Sequence, residues 1–299
     1  MEKLVAAANS KHAYLVMAHN NWDTVKTLLQ LLDHPRNDIF MHIDRKAADF
    51  PLEELTCGIQ YSQVHFYKEI DVRWGGYSQI ETELFLLRMA TSKGTYAFYH
   101  ILSGSDLPLC TPERIHEFFD CHTEENFIHV VPVTRCSKEI QRRAKYYHFF
   151  VRKSLKYQWM YTFLHRMLLV PQILIGVNRS RNMKIYYGSN WASLTHAFAR
   201  YLLDNEQYIQ KTFRHVNSCD ELYKQTLIKM GKFKIYSESP KTTVSVLRYI
   251  DFSAGGASPK TLTLDDAEAI MGSNAFFARK FDAQKDQRII NKVVESIKG

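Results

Sequence analysis

The sequence of 299 residues lacks the motifs that identify the commonest nucleotide-dependent enzymes. It has no G-x-G-x-x-G after an apolar run and no G-x-x-x-x-G-K-[ST], which are the dinucleotide fingerprint and the phosphate-binding P-loop. It also has no H-E-x-x-H and no G-x-S-x-G. Redox and kinase functions therefore lose support, and the sequence indicates neither a zinc site nor a nucleophile elbow.

Cysteine is scarce and follows no pattern. The five cysteines are scattered, odd in number and without C-x-x-C spacing, which favours a reducing compartment. The chain has no charged start followed by an apolar stretch and a small-residue cleavage site, and no uncharged run of about twenty apolar residues. We therefore expect neither a signal peptide nor a membrane span.

Acidic residues are almost absent from one stretch, Arg135 to Lys184, which we call the basic segment. It holds twelve Lys or Arg residues and one acid, Glu139, in a chain whose total charge is +8. Aromatic residues are interleaved with the charges, and an apolar run at 167–177 is broken by Pro171. One interpretation is a helical hairpin that packs its aromatic residues on the core. The other is a surface that docks on a membrane.

The N-terminal part of the chain predicts a parallel βαβ unit. Tyr14 to Ala18 is a short apolar run typical of a buried strand, Trp22 to Leu32 has apolar residues at helical spacing, and Ile39 to Ile43 is apolar again. Parallel sheets bind ligands at the carboxyl ends of their strands. We therefore expect the first ligand contacts at His19, Asn20 and the run Asp44, Arg45 and Lys46.

The rest of the chain continues with alternating strand and helix patterns. Strands are predicted at 63–67, 96–102, 127–133 and 247–252, helices at 79–92, from Pro112, at 195–203 and at 265–271, and α/β character resumes at 184–191. No repeat, low-complexity tract or linker interrupts them. The sequence predicts one α/β domain, 1–299, with an insertion at about 135–183.

Two polar pairs have the spacing of a helix capping box. They are Thr263 with Asp266 and Ser218 with Glu221. A helix cap is therefore the structural interpretation of Glu221.

The absence of any Asp-x-Asp triplet bears on a sugar-nucleotide ligand. The usual carboxylate pair that holds a divalent cation against a nucleotide diphosphate is missing. Another positive charge would have to neutralise the leaving group. The candidates are Arg279 and Lys280, with Arg248 and Lys260 behind them.

Eight strings in the sequence are familiar when taken together and in order. They are HAYLVMAHN, MHIDRKA, WGGYSQIETE, YHILSGSDLPL, YYGSNWASLT, NSCDE, SPKTLTLDD and FFARKFD. This set, which covers nearly the whole chain outside the basic segment, resembles the core-2/I-branching enzyme family of glycosyltransferases. That family includes β-1,6-N-acetylglucosaminyltransferases and peptide O-xylosyltransferases. The resemblance implies a GT-A type fold with a Rossmann-like, mostly parallel sheet flanked by helices, an inverting mechanism and independence from divalent metal.

The resemblance also implies roles for single residues. Glu221 matches the catalytic base of the family, and Asp44 is expected near the uridine or ribose, with residues around Val16 to His19 on the base. Lys280 is expected on the diphosphate together with Arg279. The choice between Arg248 and Lys260 as a further basic contact stays open.

Three more residues are expected to contact the donor sugar or the acceptor. Asp106 should lie at the end of a central strand, although an aspartate that caps the turn before Pro108 has the same pattern. Trp191 is expected to form a wall of the sugar pocket, with core packing as the alternative. Trp74, in the W-G-G string, completes this set.

The sequence departs from the animal members of that family, which carry an N-terminal membrane anchor and paired cysteines. This favours a cytoplasmic enzyme, and it leaves open a peripheral contact with the inner face of the membrane through the basic segment. We expect a UDP-sugar donor, no metal or other cofactor, a glycan or lipid-linked glycan acceptor and no nucleic-acid partner. N-acetylglucosamine (GlcNAc) is the expected sugar. Xylose, or a non-catalytic sugar- or membrane-binding protein on the same fold, is the alternative.

Overall fold

The computed structural model describes residues 10–48, 50–149, 158–236, 246–255 and 258–298, with the backbone alone at 158 and 161. The part of the basic segment at 150–157 therefore lies outside the described residues. The predicted α/β class is confirmed, with a mostly parallel central sheet and helices on both of its faces.

The central sheet has five strands in the order β3-β2-β1-β4-β8. They are β1 (His12–Ala18), β2 (Asn37–Ile43), β3 (Gln63–Tyr67), β4 (Phe98–Ser103) and β8 (Ser193–Thr195). The first four run parallel and β8 runs antiparallel to β4. β1 therefore lies at the centre, and the N-terminal βαβ prediction is confirmed.

Eleven helices are found among the described residues. They are α1 (Trp22–Leu31), α2 (Leu52–Thr56), α3 (Ser78–Lys93), α4 (Pro112–Asp120), α5 (Lys138–Lys145), α6 (Gln158–Leu174), α7 (His196–Asp204), α8 (Glu206–Phe213), α9 (Tyr223–Met230), α10 (Ala267–Met271) and α11 (Gln287–Lys298). No described helix is both long and apolar enough to cross a bilayer.

Alternation along β1 divides the core into two layers. Tyr14 and Val16 belong to a cluster that α1, α4 and α11 cover, whereas Ala13 and Leu15 belong to a second cluster covered by α3, α7, α8 and α9. This follows from the two-residue period of a strand, which sends successive side chains to opposite faces.

A smaller sheet extends the carboxyl end of β4. It consists of β5 (Asp106–Pro108), β10 (Phe277–Arg279) and β9 (Arg248–Ile250), with β10 in the middle. β10 is antiparallel to β5, so that Arg279 lies opposite Asp106. Two short strands, β6 (Val131–Pro132) and β7 (Tyr186–Tyr187), pair separately.

Local signals located several helix starts correctly. Thr111 and Thr195 accept hydrogen bonds from Arg114 and Phe198 backbone N–H groups at 3.3 and 3.4 Å. The Asp266 carboxylate accepts a hydrogen bond from the backbone N–H of Thr263 at 2.9 Å, as its capping-box spacing predicts.

Two predictions from local pattern were wrong. The strand predicted at 127–133 is reduced to a single bridge at Phe127 and the two residues of β6. Pro132 is the last residue of β6 and has no N–H to extend that pairing, but it does not account for the gap at 128–130. Pro171 does not end the helical run: it lies inside α6, near its C-terminal end, although it has no N–H to donate to the carbonyl four residues earlier.

Candidate active site

The carboxyl ends of β1 and β2 are joined through Asp44. Its backbone N–H donates to the carbonyl of Ala18 at 2.9 Å. Its carboxylate accepts a hydrogen bond from the backbone N–H of Lys46 at 3.0 Å, and the Lys46 ammonium lies 3.4 Å away. The predicted donor-site residues of the two strands are therefore neighbours.

His19 lies exposed at the same edge of the sheet. Its pKa is lowered, first because the surrounding protein desolvates the ring. The Asp44 carboxylate opposes this shift, while the ammonium groups of Lys280 and Lys46 add to it. The structure thus brings Lys280, from the far end of the sequence, close enough to His19 to influence its pKa.

Asp106, Arg279 and Trp191 form a second group where β4 ends. The Arg279 Nε atom lies 3.2 Å from the Asp106 carboxylate, and its guanidinium stacks 3.8 Å from the centroid of the Trp191 ring. Burial raises the pKa of Asp106 and lowers that of Arg279, and each partner opposes the shift of the other. Asp106 also accepts a hydrogen bond from the Ser103 N–H at 2.6 Å, so the turn-capping contact exists as well.

The four predicted diphosphate contacts lie in different environments. Among the described residues no carboxylate forms an ion pair with Lys280, which is half-buried. Lys260 forms an ion pair with Asp266 at 2.6 Å. Arg248 is buried and donates to the carbonyl groups of Val246 and Ala192.

Two further predicted residues differ in exposure. Val16 has no exposed surface and lies in the core beneath the site. Its side chain therefore does not reach the position that the prediction gave it, next to the uracil ring. Trp74 is 58% exposed and directly precedes Gly75. The Gly75 carbonyl accepts a hydrogen bond from Ser218 at 2.8 Å, which places Trp74 beside the turn that carries Glu221.

Glu221 ends a 3-10 turn, Cys219–Glu221, that does not form the predicted capping box. Ser218 adopts a left-handed conformation with φ of 49° and its side chain makes no cap hydrogen bond. A serine with φ in this region cannot take the extended conformation that an N-cap requires. The Glu221 carbonyl instead accepts a hydrogen bond from Gly188 at 3.0 Å, three residues before Trp191.

The Glu221 carboxylate reaches solvent and is paired with Arg143 of α5. The Arg143 Nη1 atom lies 3.2 Å from Glu221 Oε2, and Arg143 also pairs with Glu139 at 2.7 Å. The pKa of Glu221 is raised to about 7. Burial is the main cause, the adjacent Asp220 carboxylate adds to it, and Arg143 acts in the opposite direction.

A buried polar network supports this turn from below. Lys224 and Glu83 form an ion pair in which both side chains are almost completely buried, and the Tyr223 hydroxyl also donates to Glu83. Burial, followed by the charge of Glu83, raises the pKa of Asp220 to about 6. These contacts fix the base of the turn on α3 and α9.

Sequence reasoning missed Arg143 as a site residue. Its position in the basic segment gave no signal that distinguishes it from the other cations there. The i, i+4 spacing from Glu139 is the pattern of an ordinary surface pair on a helix. Only the packing of α5 against the Glu221 turn reveals its role.

The described residues contain no group of three or more His, Cys, Asp or Glu side chains arranged to hold a metal ion. Independence from metal nevertheless stays a prediction.

Comparison with known proteins identifies one family. The family model of the core-2/I-branching enzyme matches residues 12–276. An N-acetyllactosaminide β-1,6-N-acetylglucosaminyl-transferase of Mus musculus is 26% identical over 64% of this chain and 45% of its own length. The beta-glucuronosyltransferase GlcAT14B of Arabidopsis thaliana is 26% identical over 94% of this chain and 64% of its own length. The chain thus spans about half to two thirds of these relatives.

A solved structure with some likeness is that of mouse xyloside xylosyltransferase 1 in its apo form. The match covers 90% of this chain and 96% of that one, at 10% identity and a TM-score of 0.36. A score of that size supports no inference about this protein.

Proposed function

We infer that this chain, which belongs to the core-2/I-branching enzyme family, is a glycosyltransferase that moves a sugar from a UDP-sugar to a hydroxyl group of a glycan. The observation that carries the inference is the position of Glu221, on a turn that is bonded to Gly188 and with its carboxylate 3.2 Å from Arg143. A carboxylate that reaches solvent and has a pKa of about 7 is suited to accept a proton at neutral pH.

The proposed reaction is a single in-line displacement. The acceptor hydroxyl gives its proton to Glu221 as its oxygen bonds to the anomeric carbon of the donor. The bond from that carbon to the diphosphate oxygen breaks on the opposite side, so the configuration inverts and UDP leaves with the electron pair. Arg143 holds the carboxylate in place and favours its ionised form, which is the form that acts as a base.

Positive side chains replace a metal ion in this proposal. Lys280 is the preferred contact for the departing diphosphate, because it has no carboxylate partner among the described residues and lies near His19. Arg279 would contribute from its stacked position on Trp191. Arg248 and Lys260 already have protein partners, as Arg279 has in Asp106, which makes all three weaker candidates than Lys280.

The Asp44 and His19 end of the sheet is proposed to hold the nucleoside. Asp44 is a buried carboxylate at the carboxyl end of β2, where a ribose hydroxyl could donate to it. Trp191, Trp74 and Asp106 would surround the transferred sugar and the acceptor.

GlcNAc is the sugar we propose, following the N-acetylglucosaminyltransferase relatives. A glucuronosyl donor is the second candidate, because the glucuronosyltransferase match extends over 94% of this chain rather than 64%. Xylose stays the third. The acceptor is proposed to be a glycan, free or lipid-linked.

The substitution Glu221→Gln tests the central assignment. It keeps the size and hydrogen-bonding shape of the side chain but removes the base, so we expect transfer to be abolished while UDP binding is nearly intact. Transfer is measured as UDP release and UDP binding by calorimetry. A variant that retains more than a few per cent of the wild-type turnover would exclude Glu221 as the base.

Loss of wild-type activity on adding EDTA would contradict the metal-free mechanism.

A further inference from the structure

Exposed apolar side chains are concentrated in one part of the surface. Of the sixteen large apolar side chains that are exposed in the described ranges, ten lie between Tyr147 and Ile175. An apolar patch of this density is unusual on a protein that only contacts water, and it marks an interaction surface.

The helix α6 carries an exposed apolar face. Trp159, Phe163, Met167, Val170 and Leu174 recur every three or four residues, which places them on one face, and all five are more than half exposed.

The opposite side of α6 makes polar contacts with the protein. Gln172 is buried, accepts a hydrogen bond from the Tyr147 N–H at 2.8 Å and donates to its carbonyl at 3.1 Å. A ring nitrogen of His165 lies 2.8 Å from one of His148. A helix that is stabilised by packing on the core would turn its apolar face inward. The apolar face of α6 instead points away from the protein and can contact a partner.

The chain on both sides of α6 carries charge of one sign. No Asp or Glu occurs at 140–203, while Arg142, Arg166, Arg181 and Lys184 are exposed. Arg166 lies on α6 itself, between Phe163 and Val170. Long basic side chains of this kind can keep their charge at a lipid headgroup while their methylene groups cover apolar surface.

We propose that α6 and its cationic surroundings dock on a bilayer that contains anionic lipids. The helix would lie in the plane of the interface, along about 25 Å for seventeen residues. A second copy of the chain fits less well, because it would bring two surfaces of the same charge together without any acid between them. A nucleic acid would neutralise the positive side chains but leave the apolar face exposed to water.

This surface is directly connected to the candidate active site, although the proposal does not depend on the chemistry there. The Arg179 N–H, after α6, donates to the Lys145 carbonyl at the end of α5 at 3.1 Å. Arg143, two residues earlier, pairs with Glu221. Docking through α6 would therefore hold the catalytic turn near the membrane, where a lipid-linked acceptor is found.

Flotation of the full chain with vesicles tests the proposal. We expect binding to vesicles of phosphatidylcholine mixed with phosphatidylglycerol, little binding to phosphatidylcholine alone, and release by high salt. Phe163→Gln with Met167→Gln should reduce the affinity about tenfold or more. Arg166→Gln with Arg181→Gln should reduce it about fivefold for each charge. Glutamine keeps helix propensity, and both apolar positions are more than half exposed, so folding should be unaffected.

The matched control is Leu52→Gln with Phe252→Gln, which removes exposed apolar side chains elsewhere on the surface and should leave binding unchanged. Equal circular dichroism and thermal midpoints establish that the variants are folded. The proposal is overturned if wild type does not float with anionic vesicles, or if the control and the α6 variants bind equally. A stable dimer that the α6 variants disperse, without vesicle binding, would assign the face to a second copy instead.

Discussion

At Glu221, neighbouring groups shift the pKa of the carboxyl group in opposite directions. Burial and Asp220 favour the protonated form and Arg143 favours the ionised form, with a resulting pKa of about 7. A base with a pKa near 7 changes its ionisation in the neutral range, so activity should depend on pH there.

The pH profile of transfer tests this balance. We expect the rate to fall as the pH decreases through about 7, because protonated Glu221 cannot accept a proton. Arg143→Ala removes the cation that lowers the pKa, so the acid limb should move to higher pH by about one unit. The measurement is kcat against pH for wild type and variant.

Arg142→Ala provides the control for this shift. Arg142 is the exposed neighbour of Arg143 on α5 and has no ion pair among the described residues. Its loss should leave the acid limb in place. If Arg143→Ala leaves the limb unmoved as well, the pairing with Glu221 does not set the pKa of the base.

Substitution of each of the two lysines proposed for the diphosphate should have a clearly different effect on UDP binding. Lys280→Ala should weaken UDP binding by about 2 kcal/mol, or about thirtyfold in Kd, because a charge-assisted contact is lost. Lys260→Ala should change Kd little, since its ammonium is already held by Asp266. Isothermal calorimetry with UDP measures both, and the reverse order of effects would assign the contact to Lys260.

In the loop between β7 and β8, the backbone leaves no space for a side chain at Gly188. A Cβ atom on Gly188 would lie 1.8 Å from the His129 carbonyl oxygen, and the Gly188 N–H is bonded to the Glu221 carbonyl. Any side chain at this position must therefore move the backbone that supports the Glu221 turn.

Gly188→Ala should lower both kcat and thermal stability, the latter by about 2 kcal/mol, which corresponds to several degrees in Tm. Gly94→Ala is the matched control. A Cβ on Gly94 meets no atom within 4 Å, and its φ of 168° is open to alanine. If Gly188→Ala retains the wild-type kcat and Tm, the backbone contact with Glu221 contributes neither to activity nor to stability.

At the scale of the whole molecule, ligand-induced stabilisation should reveal the donor. A ligand at 100 times its Kd adds about 2.7 kcal/mol to the free energy of unfolding, which raises Tm by several degrees. We expect UDP-GlcNAc to raise Tm more than UDP-glucuronate, UDP-xylose or UDP alone at equal concentration. All four share UDP, so the differences report the sugar. A larger shift with UDP-glucuronate would identify that donor instead, and no shift with any of them would contradict the donor site.

The basic segment combines two tasks that sequence reasoning had treated as separate. It supplies Arg143 to the Glu221 turn through α5, and α6 presents the apolar face proposed for docking. A segment described from its composition alone as an insertion is therefore continuous with the candidate active site.

The elements that could be predicted from sequence are those whose signals are local. The hydrophobic periods of β1, α1 and β2 and the capping-box pair of Thr263 and Asp266 were sufficient, because strand alternation and capping depend on residues a few positions apart. The eight motif strings identified the family for the same reason, since each string is contiguous.

Tertiary structure alone decided the partners of the site residues. Arg143 and Glu221 are 78 residues apart, and Asp106 and Arg279 meet only because β5 pairs with β10. The sequence named Glu221 but allowed a helix cap, and the left-handed Ser218 excluded that cap. Charge pairs and desolvation depend on which distant groups come within a few ångströms of each other, so the raised pKa of Glu221 is a property of the folded chain.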